Sequence, residues 1–212
     1  MERSPRTSEL FKLVEHLGTG GFAHTWRAQV LQLNLIEEYG TKEVALKIPL
    51  DRGREKILIK ELIQNAALHQ TLQEMEATNL TRYLGFEEFD GKYVMVMEYV
   101  RGGNLRARLG EPGFGVSLTL EESVAITAGV LTGLAVIHKR HIVHRDIKPE
   151  NIVMAGNIPK ITDLGISKMV RSDQLMPTQV GTLPYMAPEV LRGPGGSPRW
   201  PGGGGGSCSM RC

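Results

Sequence analysis

The sequence predicts an α+β fold, rich in strands over residues 1–100 and mainly helical over 101–192. Three observations predict it. Two β-like runs, Phe22-Ala23-His24-Thr25-Trp26-Arg27-Ala28 and Glu43-Val44-Ala45-Leu46-Lys47-Ile48, follow a glycine cluster and are joined by a loop of moderate length. Tyr93-Val94-Met95-Val96-Met97 is a continuous apolar run that reads as a buried strand. Thr119 to His138 carries the strongest helical signal in the chain.

Taken in order, Phe11 to Leu50 reads as strands around a glycine turn. Arg54 to Leu72 has helical spacing, with apolar residues at Ile57, Leu58, Leu62 and Ala66. Gly102-Gly103 breaks the chain soon after the apolar strand. In the helix that follows, Thr119 and Glu122 form a capping-box pattern. Val124, Val130, Leu131, Leu134 and Ile137 give it an apolar face. Short strands and turns continue through Ile161. Residues 193–212 are mostly Gly, Pro, Ser and Arg. They bury too little apolar surface to offset their ordering entropy, and read as a disordered tail.

Composition narrows the function. A net charge of +2 argues against nucleic acid as a main partner. The two cysteines, Cys208 and Cys212, both fall in the last five residues, so a reducing, cytoplasmic setting is expected. Met1 to Leu10 lacks the apolar core of a signal peptide. No apolar run reads as long enough for a membrane span.

The chemistry-bearing residues form an ordered series. Leu17-Gly18-Thr19-Gly20-Gly21-Phe22-Ala23-His24-Thr25 suits either a plain hairpin turn or a loop whose backbone N–H groups meet phosphates. Lys47 lies on a strand. Glu61 falls on the helix after it, where an ion pair with Lys47 would couple helix position to phosphate binding; Glu55 is a rival. His144-Arg145-Asp146-Ile147-Lys148-Pro149-Glu150-Asn151 is a polar stretch between apolar runs. There Asp146 can orient an attacking hydroxyl and accept its proton, and Lys148 can stabilise charge on a transferring group. Asn151 and Asp163, the latter at a strand end in Asp163-Leu164-Gly165, offer hard oxygen ligands for a cation.

The ordered set Gly18/Gly20, Lys47, Glu61, His144 to Asn151, Asp163 to Gly165 and Ala187-Pro188-Glu189 resembles the protein kinase superfamily, over roughly Leu10 to Leu191. Asp146 with Lys148, and Gly181-Thr182-Leu183-Pro184-Tyr185, resemble its serine/threonine class. The resemblance implies a bilobal fold: an N-lobe and hinge over residues 1–100, a partial C-lobe with catalytic loop and activation segment over 101–192, and the tail. It implies ATP and Mg2+ as cofactors and a protein substrate with a serine or threonine acceptor. Lys47, Glu61, Asp146 and Lys148 would be catalytic, and Asn151 and Asp163 would hold the metal. Gly18, Gly20, Thr25, Ala45, Lys47, Met97, Glu98, Val100 and Val153 would bind the nucleotide, with Met97 as gatekeeper and Glu98-Tyr99-Val100 as hinge. Arg145 before Asp146 implies control by activation-loop phosphorylation, with Thr178 the favoured acceptor.

The sequence departs from the family in places. Ala23 replaces the third loop glycine, Thr25 a valine, and Leu164 the phenylalanine of Asp-Phe-Gly; Asn65 stands where an apolar residue is usual. After Arg192 the helical pattern of a complete large lobe is missing. The chain reads as C-terminally truncated, and by itself is expected to be marginally stable and to turn over little.

Overall fold

The first strand, β1 (Phe11–Thr19), turns back through Gly20 and Gly21 into β2 (Ala23–Val30). A short helix, α1 (Leu33–Tyr39), leads to β3 (Glu43–Pro49), and β4 (Tyr83–Phe89) and β5 (Lys92–Glu98) follow. These strands make one antiparallel sheet in the order β1-β2-β3-β5-β4. The computed structural model describes residues 8–21, 23–51, 77–110, 117–139, 144, 146–163 and 185. The helix expected over Arg54 to Leu72, which carries Glu61 and Asn65, lies outside them. Two compact units make up the chain, Met1–Arg101 and Gly102–Cys212.

The core of the first unit lies on one face of this sheet. Phe11, Leu13, Ala28, Val30, Val44, Leu46, Phe89, Val94 and Val96 pack there. Each large side chain of this kind contributes about 1.5–3 kcal/mol by burial. Helix α1 covers them through Leu35 and Tyr39, one turn apart. The Tyr39 hydroxyl donates to Glu87 Oε1 at 3.1 Å. Burial, and then the Glu87 carboxylate, push that phenol above its ordinary pKa.

Helix α1 corrects the sequence reading, which assigned this stretch to a loop. Its N-cap, Gln32, makes no capping hydrogen bond with its side chain, and no acid stands in its first turn. The usual start signals are therefore missing. Only its end is marked: Gly40 is left-handed, at φ 69°, and donates its N–H to Ile36. Strand β4 was also unforeseen. It joins β5 through Asp90-Gly91, both at positive φ, as a two-residue hairpin turn of this type requires.

In the second unit, α2 (Leu105–Leu109) is capped by Asn104, whose Oδ1 accepts from the Ala107 N–H at 2.8 Å. Helix α3 (Leu120–His138) has the expected capping box: Thr119 Oγ1 accepts from the Glu122 N–H, and Glu122 accepts from the Thr119 N–H. A 3₁₀ turn (Pro149–Asn151) leads into the hairpin of β6 (Ile152–Ala155) and β7 (Ile158–Ile161). Leu105, Ile126, Ile152 and Met154 form the core here, with Leu109, Leu118 and Val130 at its margin.

The apolar face of α3 also needs correction. Leu134 and Ile137 are buried as expected and Val130 is half-buried, but Ile126 is buried while Val124 is 59 % and Leu131 37 % exposed. This helix is apolar on several sides, so periodicity alone does not select the covered stripe. By length and composition α3 is also apolar enough to cross a membrane, which amends the reading that no segment reaches that length. Burial of Ile126, Gly133, Leu134 and Ile137 is what the core helix of a folded lobe shows as well.

One close approach fixes the start of this unit. A Cβ on Gly102 would lie 1.9 Å from the carbonyl oxygen of Met154. The Met154 N–H donates to the Gly103 carbonyl at 2.9 Å. Glycine is required here because backbone meets backbone.

Candidate active site

In the first unit, strand pairing gathers most of the proposed nucleotide residues on one face of the sheet. Thr25 lies opposite Lys47, Lys47 opposite Met95, and Ala45 opposite Met97. Because side chains alternate along a strand, Thr25, Ala45, Lys47 and Met97 share the face turned away from the core that α1 covers. Ala45, Met95 and Met97 form a buried apolar patch on it, edged by Tyr83 and Tyr99. Met95 is a member that the sequence reading passed over, although it stands two residues before Met97 on the same strand. Glu98 lies at the end of β5, and its N–H donates to the Arg82 carbonyl at 2.8 Å. Val100 follows it, half-buried.

The turn between β1 and β2 is closed by the Gly20 N–H donating to Ala23 O at 2.9 Å. Gly18 faces Thr25 across the hairpin. A Cβ on Gly18 would meet nothing within 4 Å, and one on Gly20 only Ala23 O at 3.7 Å. Neither glycine has a positive φ. The turn itself therefore tolerates a side chain at Gly18.

In the second unit a short turn arranges the catalytic candidates. Asp146 Oδ2 receives Lys148 Nζ at 3.0 Å and Asn151 Nδ2 at 3.1 Å. Asn151 Nδ2 also donates to the Asp146 carbonyl at 2.8 Å. Both donors of that amide point at Asp146, so its Oδ1 is the atom that faces elsewhere. Asn151 is buried, and Asp146 and Lys148 are half-buried.

Two further bonds tie this turn to Asp163. The Thr162 N–H donates to Asn151 O at 3.0 Å, and Thr162 O accepts from His144 Nε2 at 2.9 Å. The other ring nitrogen of His144, Nδ1, accepts from the Asp146 N–H at 3.3 Å. A backbone N–H on one side and a carbonyl on the other allow one neutral tautomer, with the proton on Nε2. His144 is 1 % exposed. It positions Asp146 relative to the residue before Asp163, a role the sequence reading did not give it. Asp163 takes φ 54°, a left-handed conformation that costs energy outside glycine and that Asp tolerates better than most residues. Val153 pairs with Lys160 in the β6–β7 hairpin and bridges to Asn104.

Arg106 on α2 is a contact not foreseen. Its Nε lies 3.2 Å from Glu150 Oε1 on the 3₁₀ turn, and its guanidinium also donates to the Tyr185 hydroxyl. Glu61, Arg145, Leu164, Gly165, Thr178 and Ala187-Pro188-Glu189 lie outside the described residues.

The oxygen donors suit magnesium. Asn151 Oδ1 and the Asp163 carboxylate are hard ligands on backbone segments joined by the bond from the Thr162 N–H to Asn151 O, and Mg2+ commonly takes one or two protein oxygens with the rest from phosphate and water. Among the described residues no group of three His, Cys, Asp or Glu side chains could hold a metal by itself.

A protein kinase domain model matches residues 11–199. The chain belongs to the protein kinase family. Among its relatives, the serine/threonine-protein kinase RAD53 of Saccharomyces cerevisiae is 35 % identical over 84 % of this chain and 20 % of its own length. The probable serine/threonine-protein kinase pknA2 of Bifidobacterium longum is 31 % identical, over 85 % of this chain and 23 % of its own. The serine/threonine-protein kinase dst3 of Dictyostelium discoideum is 28 % identical, over 88 % and 33 %. The chain thus spans a fifth to a third of the length of these relatives. By this kinship the kinase domain stands in the serine/threonine class, and its five-stranded sheet and helix-bearing second unit are the α+β fold of that family.

Proposed function

We propose that this kinase domain transfers the γ-phosphoryl group of Mg-ATP to a serine or threonine hydroxyl of a protein. The observation that carries the proposal is the Asp146 carboxylate, held by Lys148 and Asn151 on a turn bonded to the residue before Asp163. Asp146 orients the acceptor hydroxyl and takes its proton as the new O–P bond forms and the bond to the β-phosphate oxygen breaks, leaving ADP. Lys148 offsets negative charge on the moving phosphoryl group. Lys47 binds the α- and β-phosphates, with Glu61 as its ion-pair partner. Apolar contacts from Ala45, Met97, Val153 and the stem of Thr25 hold the adenine, with the backbone of Glu98 and Val100 bonding its edge. Gly18 and Gly20 let the turn close over the phosphates. Asn151 and Asp163 would hold Mg2+, which when bound neutralises phosphate charge.

A second reading is a domain that binds nucleotide or a partner without turnover. The exposed Leu120, Val124 and Leu131 on α3 favour it, because such a face asks for a cover. Mg-ATP binding and phosphate transfer, measured on the same preparation, separate the two. Binding with transfer to serine or threonine supports the kinase. Binding with no transfer supports the second reading.

A further inference from the structure

The outer side of the glycine hairpin carries a side-chain cluster that phosphoryl transfer does not use. Thr19 Oγ1 lies 3.1 Å from His16 Nε2 and 2.8 Å from His24 Nδ1. The two imidazoles are edge to face, with centroids 5.5 Å apart, and His16 packs against Trp26 at 4.9 Å. His16 and Thr19 are exposed and His24 is half-buried. The register fixes the side of the sheet: His24 lies opposite Ile48 and Trp26 opposite Leu46, whereas Thr25 lies opposite Lys47. The cluster is therefore on the face away from Lys47.

We infer that His16, His24 and Thr19 form a site for a borderline divalent transition-metal ion, of which Zn2+ is the natural probe. Two imidazole nitrogens within 3.1 Å of one hydroxyl oxygen supply the nitrogen ligands that Zn2+ and Cu2+ favour and Mg2+ does not. The two nitrogen–oxygen spacings suit a tetrahedral ion. Zn–N bonds of about 2.0–2.1 Å place neighbouring donors about 3.3 Å apart, so the observed contacts need to open by only about 0.2–0.5 Å. Each ring then carries its proton on the nitrogen turned away from the metal. Water completes the shell, because the set is two imidazoles and a hydroxyl. An ion bound here bridges β1 to β2 across Gly18–Gly21 and stiffens the turn from behind.

The test needs no nucleotide, so it stands apart from the kinase proposal. Cys208→Ser/Cys212→Ser is introduced into the full chain to remove thiolate ligands, and Trp200→Phe to leave Trp26 as the only indole. Calorimetry with ZnCl2, and quenching of Trp26 fluorescence by CuCl2, are compared with the same chain carrying His16→Gln or His24→Gln. Expected are one equivalent of Zn2+, Cu2+ quenching of Trp26, and at least about tenfold weaker binding in each variant, since even the loss of an outer-shell partner costs about 10–100-fold. Magnesium at equal concentration leaves Trp26 fluorescence unchanged. Zinc affinity equal in parent and both variants overturns the inference by placing the ion on other ligands. So does the absence of Trp26 quenching at micromolar Cu2+.

Discussion

His144 and Thr162 are joined by a hydrogen bond of 2.9 Å from the imidazole Nε2 to the backbone carbonyl. Through it the turn that carries Asp146 is fastened to the strand end that carries Asp163. Substituting His144→Phe keeps a planar ring, slightly larger than the imidazole, but leaves the Asp146 N–H and the Thr162 carbonyl without this partner. Each such loss at a buried site costs about 1–3 kcal/mol. A lower denaturation midpoint is expected, together with a fall in kcat larger than any change in KM for ATP. A variant with unchanged kcat would show that the imidazole is only packing.

Gly18 separates folding from binding. A Cβ there meets nothing within 4 Å, so Gly18→Ala should leave thermal stability unchanged. If phosphates approach its backbone, nucleotide binding weakens by about tenfold or more, the loss of one hydrogen bond to a charged group being worth about 1.5–3 kcal/mol. Equal ATP affinity in both proteins would remove the turn from the binding site.

How far the sequence foretold this structure depended on whether a feature is local. The capping box at Thr119 and Glu122 is local, and it forms. The shared side of Ala45 and Lys47 follows from strand alternation alone, whereas Thr25 and Met97 join it through the pairing register of neighbouring strands. Helix α1 escaped because Gln32 offers no capping side chain. On α3, the buried stripe of Ile126, Leu134 and Ile137 is selected by what packs on the helix, which its own periodicity does not contain. The order of residues from His144 to Asn151 pointed to the site, but the roles of His144 and Arg106 rest on partners distant in sequence, Thr162 and Glu150.

Gly102→Ala drives a methyl group into the Met154 carbonyl, at a distance of 1.9 Å before relaxation. The backbone must shift, and overpacking of this kind costs about 1–3 kcal/mol. Urea denaturation of parent and variant measures it, and a loss below a few tenths of a kcal/mol would contradict the close approach.

Thr119→Ala removes the cap of α3 and should cost about 0.5–2 kcal/mol. It also bears on acid stability. The Thr119 N–H foremost, then Arg108, hold the Glu122 carboxyl below its ordinary pKa. A depressed carboxyl pKa adds stability that is present above the unfolded value and is lost as pH falls through the folded value. Glu122→Gln should therefore lower stability at neutral pH and flatten its decline below the ordinary carboxylate range. A parallel decline in both proteins would show that the carboxylate contributes nothing.

The most direct measurement is transfer of labelled γ-phosphate from Mg-ATP to serine and threonine of a generic basic protein, by the parent chain and by Asp146→Asn, with ATP affinity determined for both. The account predicts incorporation by the parent and a fall of about 10²–10⁴-fold in Asp146→Asn with ATP affinity little changed. Equal incorporation by the two proteins would contradict it.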